Sequence, residues 1–234
     1  MHVVVKRSTS RSHVNVRIWY ETAMILDLTR FQTAKSMNIY IAGDTMNGFV
    51  VGEILKQCQN LQRVYIERKD NDWDAQETQF SWTSTDEHHL SQGIANHASL
   101  QDFSLTGLTS PMVDLPQALC TVPHLALVTL KASPHYTTAT ACSLLTAEDL
   151  GRLVSKLTQR LSVAGLFPET QEYKSVLEEA YIQRGCQVHI FVHFSGTDRP
   201  SKYAYKIREI MEINQMGRFD KGNMLKLLKH ASHS

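Results

Sequence analysis

The sequence has no long apolar run, because no stretch approaches the ~18 consecutive apolar residues that a transmembrane helix needs. Its N-terminal apolar run, Val3-Val4-Val5, is too short for the core of a signal peptide, and no N-x-[ST] glycosylation acceptor occurs. These absences argue against a membrane protein or a membrane partner. They predict a cytoplasmic protein, with a nuclear location as the alternative.

Cysteine is scarce, and its spacing fits no common metal or redox site. No C-x-x-C pair occurs, although zinc and thiol-redox sites commonly use that spacing. We therefore expect free thiols in a reducing compartment, and neither a metal nor a cofactor. The four cysteines are Cys58, Cys120, Cys142 and Cys186.

The motifs of common enzymes are absent as well. There is no G-x-S-x-G elbow, no P-loop and no dinucleotide fingerprint. No spacing of Ser, His and Asp singles out a triad, so we expect no catalytic residue. His189 and His193 share one face of the strand-like VHIFVHF, but ~13 Å of extended chain separates them, too far for one metal ion. The acidic and histidine run 86–89 lacks H-E-x-x-H and fits a helix start.

Charge of one sign is not in excess, since the formal net charge is +1. Residues 197–234 hold eight Lys and Arg against four Asp and Glu, and this asymmetry is too weak to predict nucleic-acid binding. A hydrophobic fraction of 42% indicates a globular chain.

What the chain does contain is a recurring apolar spacing, L-x-x-L-x-L, clearest at Leu100, Phe103 and Leu105 in LQDFSLTGL. Segments typical of helices separate the repeats, and a recurring strand-plus-helix unit is typical of a solenoid. The same spacing returns at Leu61, Val64 and Ile66, and at Leu125, Val128 and Leu130.

The periodicity predicts seven strands with helices between them. Leu105 and Val128 are expected to be fully buried in adjacent parallel strands. We expect residues 1–12 to form an edge strand or the remnant of an earlier repeat. The stretches 68–84 and 132–145 are expected to be irregular. The predicted strands are 13–20, 38–43, 61–67, 100–108, 125–130, 160–164 and 188–194. The predicted helices are 23–34, 47–58, one capped by Ser84 and Glu87, one starting at Pro111, one capped by Thr146 and Asp149, and 169–184.

These residues resemble the leucine-rich-repeat family, near its longer ribonuclease-inhibitor-like repeats, over about 13–194. The resemblance implies an α/β fold: a right-handed solenoid with a parallel β-sheet on the concave face and helices on the convex face. The array, 1–196, would hold about seven strand units with an insertion at 68–84, and 197–234 would form a C-terminal helical cap. The family's turn Asn or Cys is absent here, and glycines that permit tight turns stand nearby, at Gly43, Gly107 and Gly165.

The alternation also predicts which residues face outward from each strand. One expected row is Arg17, Tyr40, Tyr65, Ser104, Thr129, Ser162 and Phe191, and the next is Trp19, Ala42, Glu67, Thr106, Lys131, Ala164 and His193. Aromatic residues in these rows are favoured anchors at interfaces. The predicted partner-binding residues are Arg17, Trp19, Tyr40, Tyr65, Glu67, Ser104, Thr129 and Phe191.

The resemblance implies a monomeric interaction scaffold that binds a protein on its concave face and is not an enzyme. One alternative is a substrate-recognition subunit of a ubiquitin ligase, for which residues 1–12 are too short to supply an adaptor-binding segment. An alternative from another class is a hydrolase that uses the histidine-rich seventh strand. A third alternative is that the chain is a fragment of a longer array.

Overall fold

The computed structural model describes residues 2–7, 12–19, 31–41, 48–68, 82–133, 143–184 and 188–195, which contain eight strands and five helices. The strands are β1 (His2–Arg7), β2 (His13–Trp19), β3 (Ser36–Ile41), β4 (Arg63–Arg68), β5 (Asp102–Leu108), β6 (Leu127–Ala132), β7 (Arg160–Ala164) and β8 (His189–His193). The helices are α1 (Gly48–Gln57), α2 (Ser84–Ile94), α3 (Leu115–Thr121), α4 (Ala147–Lys156) and α5 (Gln171–Arg184).

The strands form one sheet in which their spatial order is their order along the chain, from β1 to β8. β1 runs antiparallel to β2, and every later neighbour is parallel. One helix follows each strand from β3 to β7. The α/β prediction is therefore confirmed, and β2 to β8 match the seven predicted strands to within two residues at each end. β1 confirms the predicted edge strand.

One core joins the inward side of the sheet to the helices. Leu105 and Val128 are fully buried on the adjacent parallel strands β5 and β6, as predicted. Helix residues such as Leu119 and Leu153 belong to the same cluster. A buried Leu side chain contributes about 1.5–3 kcal/mol relative to an exposed one, so the alternating strand residues supply much of the stability.

Two predicted helix starts need correction. α3 begins at Leu115, not Pro111, and the proline in its first turn is Pro116. The capping box of α2 is formed by Thr83 and Asp86, one residue before the predicted pair. In contrast, the cap of α4 is confirmed, because the Thr146 hydroxyl accepts a hydrogen bond from the N–H of Asp149.

Several predicted segments lie largely outside the described residues: the helix at 23–34, most of the irregular stretches 68–84 and 132–145, and the cap at 197–234. At the borders of 68–84, Arg68 closes β4, and Trp82 is only 1% exposed. The two ends of the predicted insertion therefore belong to the folded unit.

Two of the three predicted turn glycines have positive φ angles, 87° at Gly107 and 70° at Gly165. Gly107 lies at an irregularity of β5, where the register with β6 shifts between Thr106 and Leu108. The N–H of Gly165 donates to the carbonyl of His193 at 2.8 Å. A side chain at either position would strain the backbone, which explains the glycines.

Helices α1 and α2 pack with their backbones in contact. A Cβ atom added to Gly52 would lie 2.3 Å from the His89 carbonyl oxygen, and one added to Gly93 would lie 2.5 Å from the Gly52 carbonyl oxygen. The Asp86 carboxylate accepts the N–H of Gly48 at 2.8 Å and also the N–H of Thr83, the N-cap residue of α2, so it serves the start of both helices. None of the described helices is long and apolar enough to cross a membrane.

Candidate binding face

The side chains that alternate with the core residues form what we call the open face of the sheet. Most of them are partly or fully exposed, in contrast to the inward residues. Its described side chains are His13, Asn15, Ser36, Asn38, Tyr40, Arg63, Tyr65, Glu67, Asp102, Ser104, Thr106, Leu127, Thr129, Lys131, Arg160, Ser162, Ala164, His189, Phe191 and His193.

The predicted rows are wrong between β3 and β4, where the register differs by two residues, whereas the predicted pairing of Arg17 with Tyr40 is confirmed. Tyr65 pairs with Asn38, and Tyr40 pairs instead with Glu67. The cause is that β3 has three alternating buried apolar residues, at 37, 39 and 41, whereas the alternation in β4 has two, Val64 and Ile66. The outward residue between two of them was therefore ambiguous. A shift of two keeps each side chain on its predicted face.

The observed rows bring most of the predicted residues together. The central row is Asn15, Asn38, Tyr65, Ser104, Thr129, Ser162 and Phe191. The row beyond it is Arg17, Tyr40, Glu67, Thr106, Lys131, Ala164 and His193. Trp19 lies at the end of β2, where its backbone pairs with His2 of β1. The side chains of Arg17 and Trp19 are outside the described part of the chain.

Exposure along the central row is greatest at its two aromatic positions. Tyr65 is 39% exposed and Phe191 is 47% exposed. Between them, Thr129 and Ser162 are half-buried, and Ser104 is buried. With strands ~4.8 Å apart, four strand spacings place the two aromatic residues ~19 Å apart across a floor of small hydroxyl side chains.

A buried carboxylate lies beside Tyr65. The Tyr65 hydroxyl donates to Oδ2 of Asp102 at 2.8 Å, and Asp102 is 8% exposed. Burial raises the pKa of Tyr65, as does Asp102, while Arg63 and Arg160 act in the opposite direction. Asp102 was not among the residues predicted from the sequence, although its position directly before the inward Phe103 already places it on the open face.

The described side chains at the β2–β3 end of the open face form a polar network that includes the Tyr40 hydroxyl. The side-chain amide of Asn38 donates to Oδ1 of Asn15 at 3.0 Å and lies 3.5 Å from the Tyr40 hydroxyl. Nε2 of His13 is 3.4 Å from the same amide nitrogen. The Asn38 amide nitrogen is thus engaged within the sheet, and the exposed rings of the described open face, Tyr65 and Phe191, lie further along it.

The opposite end of the open face has positive charge. We call the nine open-face side chains of its last three strands the basic end. They are Leu127, Thr129 and Lys131 of β6, Arg160, Ser162 and Ala164 of β7, and His189, Phe191 and His193 of β8. Lys131 and Arg160 are exposed, and none of the nine side chains is acidic. The acids on the described part of the open face, Glu67 and Asp102, lie on β4 and β5.

The run 86–89 is used for helix capping and packing. Oε1 of Glu87 accepts the backbone N–H groups of Val113, Asp114 and Leu115 at 2.8, 2.9 and 2.8 Å. Glu87 is 1% exposed, and burial raises its pKa more than these three bonds lower it. The carboxylate therefore caps α3 in place of Asp114, whose own side chain contacts Nδ1 of His88 at 2.8 Å.

The described cysteines, Cys58 and Cys120, are free thiols, and burial raises the pKa of Cys58 to about 11. A thiol with so high a pKa is a poor nucleophile near neutral pH. Within the described ranges, no group of three or more His, Cys, Asp or Glu side chains could hold a metal ion.

The chain matches no protein-family model, and neither curated proteins nor solved structures gave a match.

Proposed function

We propose that this protein is an interaction scaffold, a leucine-rich-repeat-like solenoid that binds a partner protein on the open face of its sheet. The observation that carries the proposal is the central row, where Tyr65 and Phe191 stand exposed at either side of small hydroxyl residues. Exposed aromatic residues on a rigid surface are favoured anchors for a partner.

The sequential sheet supports this proposal in a second way. Each strand adds one line of outward side chains in register with its neighbours, so the open face grows into a broad platform on a well-packed core. Small residues such as Ser104 and Ser162 leave room for a partner's backbone to approach. We further propose a cytoplasmic monomer that needs no cofactor and does not bind nucleic acid or membranes.

The test is affinity capture from a native lysate with matched aromatic variants. Phe191→Ala removes an exposed ring from the open face, and Phe49→Ala removes one from α1, where the ring is 53% exposed. We expect a reproducible protein partner whose recovery falls with Phe191→Ala and is unchanged with Phe49→Ala. Equal recovery of the partner with the parent chain and with both variants would contradict binding at this face.

The two alternatives have separate readouts in the same experiment. Recovery of a ubiquitin-ligase adaptor would support the recognition-subunit alternative. Turnover of a hydrolase substrate panel, with no partner recovered, would support an enzyme that uses His189 or His193. Among the described residues, no contact of these two histidines singles out such a reaction, so the scaffold remains the function that the geometry favours.

A further inference from the structure

The charges on the open face are separated along the sheet. On β4 and β5, Arg63 pairs in register with Asp102, and Glu67 lies four residues further along β4, so cations and anions are mixed there. The basic end holds Lys131 and Arg160 and no acidic side chain. Neither of these two cations forms an ion pair with a described residue. Two exposed cations with no ion-pair partner among the described residues favour a partner of opposite charge.

The positions of the two cations set a spacing for the partner. Arg160 pairs in register with Leu127, and Lys131 lies four residues further along β6. At ~3.3 Å per residue and ~4.8 Å between strands, their Cα atoms are ~14 Å apart. About four residues of an extended segment cover that distance, and between the cations lie the hydroxyl groups of Thr129 and Ser162.

We propose that the partner contacts the basic end through an extended acidic segment, with carboxylates at Lys131 and Arg160 and an apolar side chain against Phe191. This inference rests on the proposed function and names the chemistry of its partner. The imidazoles of His189 and His193, on either side of Phe191 along β8, add N–H donors to the same surface.

Charge also decides between occupants of the basic end. Residues 197–234 of this chain carry eight Lys and Arg against four Asp and Glu, so the chain's own C-terminal segment is a poor match. Nucleic acid is a polyanion, but its binding relies on many phosphate contacts, and the basic end has two full cations on a chain of net charge +1. A short acidic protein segment fits both observations.

The experiment selects a displayed library of random dodecapeptides against the full-length chain. We expect enriched peptides to carry net negative charge with an aromatic or aliphatic residue. Their Kd should rise about tenfold in Lys131→Gln/Arg160→Gln. The control, Lys56→Gln/Arg152→Gln, changes net charge equally at exposed helix positions and should leave Kd unchanged.

A charge swap provides a second measurement. Lys131→Glu/Arg160→Glu should reject the acidic peptides and bind versions in which Lys replaces their acidic residues. Because both positions are exposed, circular dichroism and the unfolding midpoint should match the parent chain. Failure of the swap, with the fold intact, would overturn the assigned contacts.

The remaining outcomes separate the inference from the proposed function. Neutral or basic peptides that depend on Phe191 but not on the two cations would overturn the acidic segment and keep the binding face. Peptides insensitive to all these variants, or no enriched peptide, would overturn both. A single-stranded dodecanucleotide is tested as a competitor of the peptides. If it binds more tightly than they do, with the same dependence on Lys131 and Arg160, the occupant of the basic end is nucleic acid and the proposed acidic segment is overturned.

Discussion

The Tyr65 hydroxyl donates a 2.8 Å hydrogen bond to Oδ2 of Asp102, across the neighbouring strands β4 and β5. The bond ties the end of the Tyr65 side chain to Asp102, a residue that is 8% exposed, while Tyr65 itself stays 39% exposed. A ring held in one orientation loses little conformational freedom when a partner covers it, so this pair prepares the open face for contact.

Tyr65→Ala should leave folding nearly intact and weaken partner binding by more than ~1 kcal/mol, the usual threshold for an important interface residue. Tyr65→Phe keeps the ring and removes only the hydroxyl, so it should weaken binding less than Tyr65→Ala does, by the part that the hydrogen bond to Asp102 contributes through preorganisation. Kd values for the captured partner, measured with both variants, check this prediction. An affinity that survives Tyr65→Ala would remove Tyr65 from the interface.

Glu87 should stabilise α3 through its single acceptor oxygen. Glu87→Ala leaves the N–H groups of residues 113–115 without that acceptor and should lower the free energy of unfolding by more than ~2 kcal/mol. Glu87→Gln keeps an Oε1 acceptor in place and should cost less than ~1 kcal/mol. Denaturant unfolding of the two variants side by side measures the difference, and equal losses would contradict the capping role.

Glu87 should also produce a pH dependence with a defined sign. Burial raises the pKa of its carboxyl group above the ordinary 4.5, so the folded chain holds this proton to a higher pH than the unfolded chain does. The stabilisation from this group is complete below 4.5 and is lost as the pH rises through the raised pKa. The unfolding free energy of the parent chain, relative to Glu87→Gln, should fall with pH in that window. A rise would contradict the direction of the shift.

Gly52→Ala should destabilise the packing of α1 against α2. The added Cβ would lie 2.3 Å from the His89 carbonyl oxygen, and overpacking of this kind typically costs about 1–3 kcal/mol. Gly151→Ala is the matched control in α4, because its Cβ would meet only a side-chain atom of Val176 at 3.4 Å. Thermal unfolding should show a lower Tm for Gly52→Ala and an unchanged or higher Tm for Gly151→Ala.

Leu105→Ala should lower the free energy of unfolding by about 2–5 kcal/mol, since the residue is fully buried in the middle of the sheet. The control is Thr106→Ala, because Thr106 is the next residue along β5, lies on the open face and is only half-buried. This substitution should lower the free energy of unfolding by less than ~1 kcal/mol. Denaturant midpoints that do not differ between the two variants would contradict the assignment of inward and outward faces.

Local periodicity was enough to predict the sheet. The inward residues Phe103 and Leu105 alternate with polar neighbours and share a spacing with later strands, so strand positions and faces followed directly. Register across β3 and β4 did not follow, because Met37, Ile39 and Ile41 offer two equivalent alignments two residues apart. The hydrogen bonds between β3 and β4 in the folded sheet select one of these two alignments, and the apolar pattern of the sequence is the same for both.

The interactions that the sequence analysis missed depend on distant segments. The spacing of Ser84 and Glu87 predicted a capping box, but the Glu87 carboxylate instead reaches the start of α3, a contact between residues 26 to 28 positions apart. The close approach of α1 and α2 has a local signal, since Gly48 and Gly52 are spaced four apart on one helix face. That spacing could have indicated tight helix packing, although only the folded chain identifies α2 as the neighbour.

Site-specific photocrosslinking tests binding at the open face most directly. A photoreactive phenylalanine analogue replaces Ser162, in the central row of the basic end, and in a matched protein replaces Ser175, which is exposed on α5. After irradiation in native lysate, we expect a discrete protein adduct from position 162 and none from position 175. An adduct formed only from position 175, or none from position 162 while a partner is still captured, would contradict the account.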